Sequence, residues 1–138
     1  MVNPKKIVSL LDSLKGYLDT LHRHAGTPRD VFLRDSDALD SAKYNFIVAI
    51  ENCIDIGNHI IASEGLRLPS DYRDVAQVLA ESDVIGPDLA ERFKSMVSFR
   101  NRLVHMYWKV DDELVREYLE NNLDDISAQA FARTISSQ

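Results

Sequence analysis

Two side chains near the C-terminal third of the chain are suited to phosphoryl chemistry: Arg100 and His105. They lie five residues apart in Arg100-Asn101-Arg102-Leu103-Val104-His105-Met106-Tyr107-Trp108, inside a segment that otherwise reads as an apolar helix. Arginine is a fixed planar cation whose donors match phosphate oxygens. Histidine transfers protons near neutral pH. Attack of a ribose 2′-hydroxyl on the adjacent phosphodiester needs a base, an acid and a stabiliser of transition-state charge. An arginine and a histidine supply these functions with no metal or cofactor. Polar groups crowded on a core-facing helix cost free energy unless they are paired or used.

Helical geometry limits what one copy does alone. At about 100° per residue, Arg100 and His105 point about 140° apart. Arg100 and Tyr107 are about 20° apart, which predicts that Tyr107 stands over the arginine. Two copies about a two-fold axis bring both sets to one cleft, so the spacing predicts a homodimer with its site at the interface. The structural alternative is that His105 caps or packs the helix end while Arg100 pairs with an Asp or Glu of the long helix.

The charge pattern marks the same segment. The chain carries a net charge of -6, but residues 92–110 hold Arg92, Lys94, Arg100, Arg102 and Lys109 and no acid, leaving -11 on the remainder. An acidic body with one basic helix fits a local phosphate or RNA track, with Arg92, Arg102 and Lys109 as candidate RNA contacts.

The elements that must hold this segment are helices. The chain has 138 residues, 45% apolar and 28% charged, with only 5 Gly and 4 Pro, which disfavours a turn-rich β fold. The single Cys53 forms no internal disulfide and no Cys-based zinc site, as suits a reducing cytoplasm. The N-terminal residues do not read as a signal peptide, and no run of about 20 apolar residues reads as a membrane helix.

Periodicity predicts a first helix over 4–23, ended by Gly26 and Pro28, with His22 and His24 facing the negative end of its dipole. A short helical turn follows over 28–35, then a long central helix over 36–63 that stops at Gly65. Its polar face carries Glu51, Asn52, Asp55, Asn58 and His59. This face is either a solvated stripe or the lining of a cleft opposite Arg100, with Asp55, Asn58 and His59 as lining residues. A shorter helix is predicted over 71–81 with Ser70 as N-cap. The next runs from Pro87 to about Trp108 and the last over 112–134. The expected architecture is an all-α, up-down four-helix bundle with one extra short helix, one domain over residues 1–138.

The motif resembles the Arg-x4-His-x-Tyr signature of HEPN-superfamily ribonucleases, and more narrowly the HepT toxins of type VII (HepT–MntA) toxin–antitoxin systems. Asp55-Ile56-Gly57-Asn58-His59-Ile60-Ile61 with Gly65 resembles that family's second long helix and its end. Pro69-Ser70-Asp71-Tyr72-Arg73-Asp74 with Val78-Leu79 resembles its next segment. The order of helices matches from about residue 5 to 130.

The resemblance implies a HEPN-like homodimer and a metal-independent endoribonuclease without a cofactor. It implies Arg100 as phosphate stabiliser, His105 as acid–base residue and Asn101 in support. Tyr107 falls where a nucleotidyltransferase antitoxin of MntA type attaches AMP and silences the toxin. Met106 departs from the polar or acidic residue of many relatives but lies outside the signature. The expected setting is cytoplasmic, with RNA as substrate and no membrane. A non-catalytic HEPN module partnering a nucleotidyltransferase is the alternative function, and a helical dimer with no site is the third reading.

Overall fold

The computed structural model describes residues 4–126. They form six helices in chain order: α1 Pro4–Ala25, α2 Arg29–Leu33, α3 Ser36–Ser63, α4 Tyr72–Glu81, α5 Pro87–His105 and α6 Asp112–Asn121. Two 3-10 segments, Tyr107–Lys109 and Leu123–Ile126, follow α5 and α6. No strand occurs among the described residues, so the all-α expectation holds.

Helix α3 is the axis of the bundle and packs against α1, α4, α5 and α6. Its apolar residues spread over several faces, and Phe46, Ala49, Ile50, Ile56 and Ile60 are buried. By length and mean composition α3 is the one helix among the described residues able to cross a membrane, but half of that window is buried by its neighbours. It is the core helix of a bundle. Asp35 caps its start, accepting from the amides of Asp37 and Ala38. Gly65, at φ 63°, ends it, and the Leu66 amide reaches back to the Ile61 carbonyl at 3.0 Å. Gly57 permits close approach of α4: a Cβ there would sit 2.7 Å from Val75 Cγ1.

Several expectations are corrected. Ser70 does not cap α4; Asp71 does, accepting from the Asp74 amide at 2.7 Å. The backbone and hydroxyl of Ser70 instead donate to Asp74 Oδ2. Helix α5 ends at His105, not Trp108, because Met106 leaves helical geometry at φ -138° and ψ 42°. Helix α6 stops at Asn121 and a 3-10 turn replaces its expected continuation, while the rest of the 112–134 helix lies outside the described residues from 127 on.

The end of α1 is also capped differently. His24 is buried and bonds Ser41 Oγ through Nε2 at 2.8 Å, and burial lowers its pKa. The cation at this helix end is the buried Arg116 of α6. It donates to the carbonyls of His24 (3.2 Å), Ala25 (3.2 Å) and Thr27 (2.7 Å), and its guanidinium lies 5.6 Å from the Phe32 ring centroid. These contacts satisfy carbonyls that the ended helix leaves open.

Candidate functional site

Helix α5 begins as its sequence predicts, with Pro87 in the first turn and Asp88 at the positive end. Its buried stripe holds Phe93, Met96, Val97, Phe99 and Leu103. Phe99 locks the rotation of the helix: its ring stacks on Tyr118 with centroids 3.9 Å apart and meets the Phe46 edge at 5.2 Å. With Phe99 fixed inward, Arg100 is directed along the α3–α5 seam.

There Arg100 is held on three sides. Nη2 donates to Glu51 Oε2 at 2.7 Å, Nη1 donates to Asn101 Oδ1 at 3.0 Å, and the guanidinium lies 5.1 Å from the Tyr72 ring centroid. The side chain is 13% exposed, and its Nε is buried without a hydrogen-bond partner among the described residues. Glu51 is the long-helix acid that the structural alternative anticipated. Its other neighbours make the pairing more than a surface contact. Glu51, Ile54, Asp55 and Tyr72 line a pocket of about 240 Å³. Partial burial at this wall, then the charge of Glu51 one turn away, raises the pKa of Asp55.

The expected polar lining divides. Glu51 and Asp55 share the pocket, Asn58 is exposed one turn further along and His59 is half-buried. Asn52 turns the other way and donates to the Leu10 carbonyl of α1 at 3.1 Å, so it belongs to the α1–α3 contact.

His105 is the last residue of α5 and is exposed. Because α5 is helical through His105, the angle of about 140° from Arg100 persists, and the two separate by about 7.5 Å along the axis. They do not converge within one chain. Val104, Met106 and Trp108 around His105 are exposed apolar side chains, Trp108 by 80%.

Tyr107 departs from its expected place. The helix has ended, so Tyr107 does not stand over Arg100. It sits in the 3-10 turn and faces the start of α3. Its Oη donates to Asp40 Oδ1 at 2.8 Å, and Lys43 Nζ lies 4.6 Å from its ring centroid and donates to its carbonyl at 3.2 Å. Burial and the Asp40 carboxylate push the phenol up to about 12. Lys43 is itself buried and lies 3.8 Å from Asp112. Asp40 and Lys43 had no place in the sequence reading. A usable signal was their spacing: Lys43 and Glu51 lie three and eleven residues after Asp40, which is one face of a helix.

The basic segment is partly neutralised within the chain. Arg92 pairs with Asp125 at 3.0 Å, and Lys94 with Gln77 at 2.7 Å and Glu91 at 3.2 Å. Arg102 and Lys109 are exposed, and their side chains make no hydrogen bond or ion pair among the described residues. Cys53 is buried, and burial pushes its thiol up to about 12, which leaves it unreactive.

Comparison with known proteins places the fold and the family. A family model described as ribonuclease HepT-like matches residues 14–132. The mRNA nuclease HepT of Shewanella oneidensis is 34% identical over 94 residues, 68% of this chain and 71% of that protein. A solved toxin–antitoxin complex with AMP-PNP superposes at a TM-score of 0.86 with 27% identity, covering 96% of this chain and 98% of the other. A tri-AMPylated Shewanella oneidensis HEPN toxin bound to its MNT antitoxin superposes at 0.85 with 28% identity, covering 96% and 97%. The chain therefore belongs to the HepT-like ribonuclease family and is a homologue of the HEPN toxins of HepT–MntA toxin–antitoxin pairs.

Proposed function

We propose that this chain is a metal-independent endoribonuclease toxin whose site forms from two copies, and that an MntA-type nucleotidyltransferase silences it by attaching AMP to Tyr107. The observation that carries this reading is the state of Arg100. A mostly buried guanidinium held by Glu51, Asn101 and Tyr72, with its Nε left unsatisfied, is costly as scaffold, and its orientation is fixed before any substrate arrives.

In the reaction, His105 takes the proton of the ribose 2′-hydroxyl as its oxygen bonds to the adjacent phosphorus. The bond from phosphorus to the 5′-oxygen breaks, and the second His105 of the dimer protonates that leaving oxygen. Arg100 stabilises the charge that builds on the non-bridging oxygens, and Asn101 holds its Nη1 edge. Since His105 points away from Arg100 in one chain, a second copy is needed to bring a histidine to each side of the phosphodiester. The exposed Val104, Met106 and Trp108 beside His105 suit burial in that contact. Arg102 and Lys109 are the cations available to RNA backbone on either side. A cytoplasmic setting fits an RNA substrate.

The test is cleavage of RNA by purified protein without its partner. His105→Ala and Arg100→Ala each abolish cleavage with the thermal midpoint retained. Cleavage unchanged by His105→Ala overturns this reading, whereas tight partner binding with no cleavage by clean wild-type protein leaves the non-catalytic binding module as the surviving account.

A further inference from the structure

The position of Asp40 carries a consequence for the modification of Tyr107, and it rests on the function proposed above. Asp40 lies in the second turn of α3 and is exposed, and its Oδ1 accepts the phenolic hydrogen at 2.8 Å. An exposed contact of this kind contributes only about 1 kcal/mol to stability, so holding the turn explains little of the arrangement. The turn is already held by Lys43, buried beneath the ring and bonded to the Tyr107 carbonyl. The two α3 residues are three apart and divide the work: Lys43 fixes the ring and backbone, while Asp40 engages the one atom that would react.

We propose that Asp40 is the proton acceptor that makes Tyr107 a nucleophile toward the α-phosphorus of a nucleoside triphosphate presented by the partner enzyme. In this step the Oη–P bond forms and the bond from the α-phosphorus to the bridging oxygen of the β-phosphate breaks. Pyrophosphate leaves with that electron pair, and the phenolic proton passes to Asp40 and then to water. A phenol with a pKa raised to about 12 is almost wholly un-ionised at neutral pH. Its proton must therefore leave as the new bond forms, when the oxygen becomes acidic enough for a carboxylate to accept from it. A base already in contact with Oη takes it without rearrangement, and Asp40 is in contact before any partner arrives.

The experiment follows AMP addition by intact mass, using the full chain, its cognate nucleotidyltransferase and ATP, with complex formation measured in parallel. Asp40→Asn and Asp40→Ala are expected to slow the first addition by about a hundredfold while binding the partner as wild type does. Asp40→Glu, which restores a carboxylate, is expected to recover part of the rate. Modification of Asp40→Asn at the wild-type rate overturns the inference and places the acceptor on the partner. A rate that falls only in proportion to lost complex formation also overturns it, since Asp40 would then be a docking contact. Wild-type protein that gains no AMP at Tyr107 under the same conditions overturns the proposed silencing itself, an outcome distinct from the other two.

Discussion

Arg100 Nη2 and Glu51 Oε2 stand 2.7 Å apart across the seam between α5 and α3. The same face of α3 carries Asp40 eleven residues earlier, about 16 Å along the axis and about 20° around it. One helix face thus anchors both Arg100 and Tyr107, at separate points. Glu51 orients the guanidinium through one Nη and leaves Nε without a partner, so the acid positions the arginine and does not saturate it.

Glu51→Ala is expected to cost about 1–2 kcal/mol, since it leaves a mostly buried guanidinium without its acid while Glu51 itself is partly exposed. RNA cleavage should fall about tenfold, mainly in kcat, because Arg100 loses alignment and not charge. Denaturant unfolding beside steady-state kinetics checks both. A rise in cleavage would show that Glu51 competes with phosphate instead of positioning its receptor.

Arg116→Ala should destabilise the fold by about 3 kcal/mol, because it strips three carbonyls at the α1 end of a shared donor. Arg116→Lys should restore little, since one ammonium cannot reproduce the planar fork. Urea unfolding of both variants decides this, and near-native stability of the lysine variant contradicts it.

Gly57→Ala is expected to lose about 1–2 kcal/mol. The added methyl would crowd Val75 Cγ1 at 2.7 Å and Leu79 Cδ1 at 3.3 Å, which outweighs the roughly 1 kcal/mol of improved helix propensity. The same displacement of α4 should move Tyr72 from Arg100 and weaken cleavage. A gain in thermal midpoint would contradict the packing argument.

His24 gives the fold a pH dependence of definite sign. Burial first, then the Arg23 charge, lowers its folded pKa, with Asp35 opposing. The unfolded chain thus binds the proton at higher pH than the folded one. Stability is full above the ordinary histidine range near 6.5 and declines as pH falls through that value toward the lowered one. The thermal midpoint should drop between pH 8 and pH 5.5, and His24→Gln should flatten that drop. An equal drop in the variant assigns the dependence elsewhere.

How much of this was legible in the sequence depended on whether local signals or distant contacts set each feature. The bounds of α3 follow from a strong capping residue, Asp35, and a positive-φ glycine, Gly65, both local. The end of α5 was not legible, because Leu103, Val104 and Tyr107 continue a helical stripe and no Gly or Pro interrupts it. Met106 leaves helical geometry, and Tyr107 then meets Asp40 and Lys43, more than sixty positions away in the chain, which no local signal announces. The alignment of Tyr107 over Arg100 failed for this reason, while the divergence of Arg100 and His105, both inside the regular helix, survived. Ser70 and Asp71 are both good caps, and only the path of the chain chose between them. Asn52 looked like cleft lining because spacing gives a helix face but not which neighbour that face meets.

The claim that two copies build one site is tested most directly by mixing subunits. Wild-type and His105→Ala chains are co-refolded in equal amounts, and the specific RNA cleavage of the mixture is compared with that of wild type alone. If each phosphodiester needs a histidine from both copies, only wild-type dimers cleave, and activity falls to about one quarter. Activity of about one half, in proportion to the wild-type chains present, would mean that each chain works alone and would contradict the account.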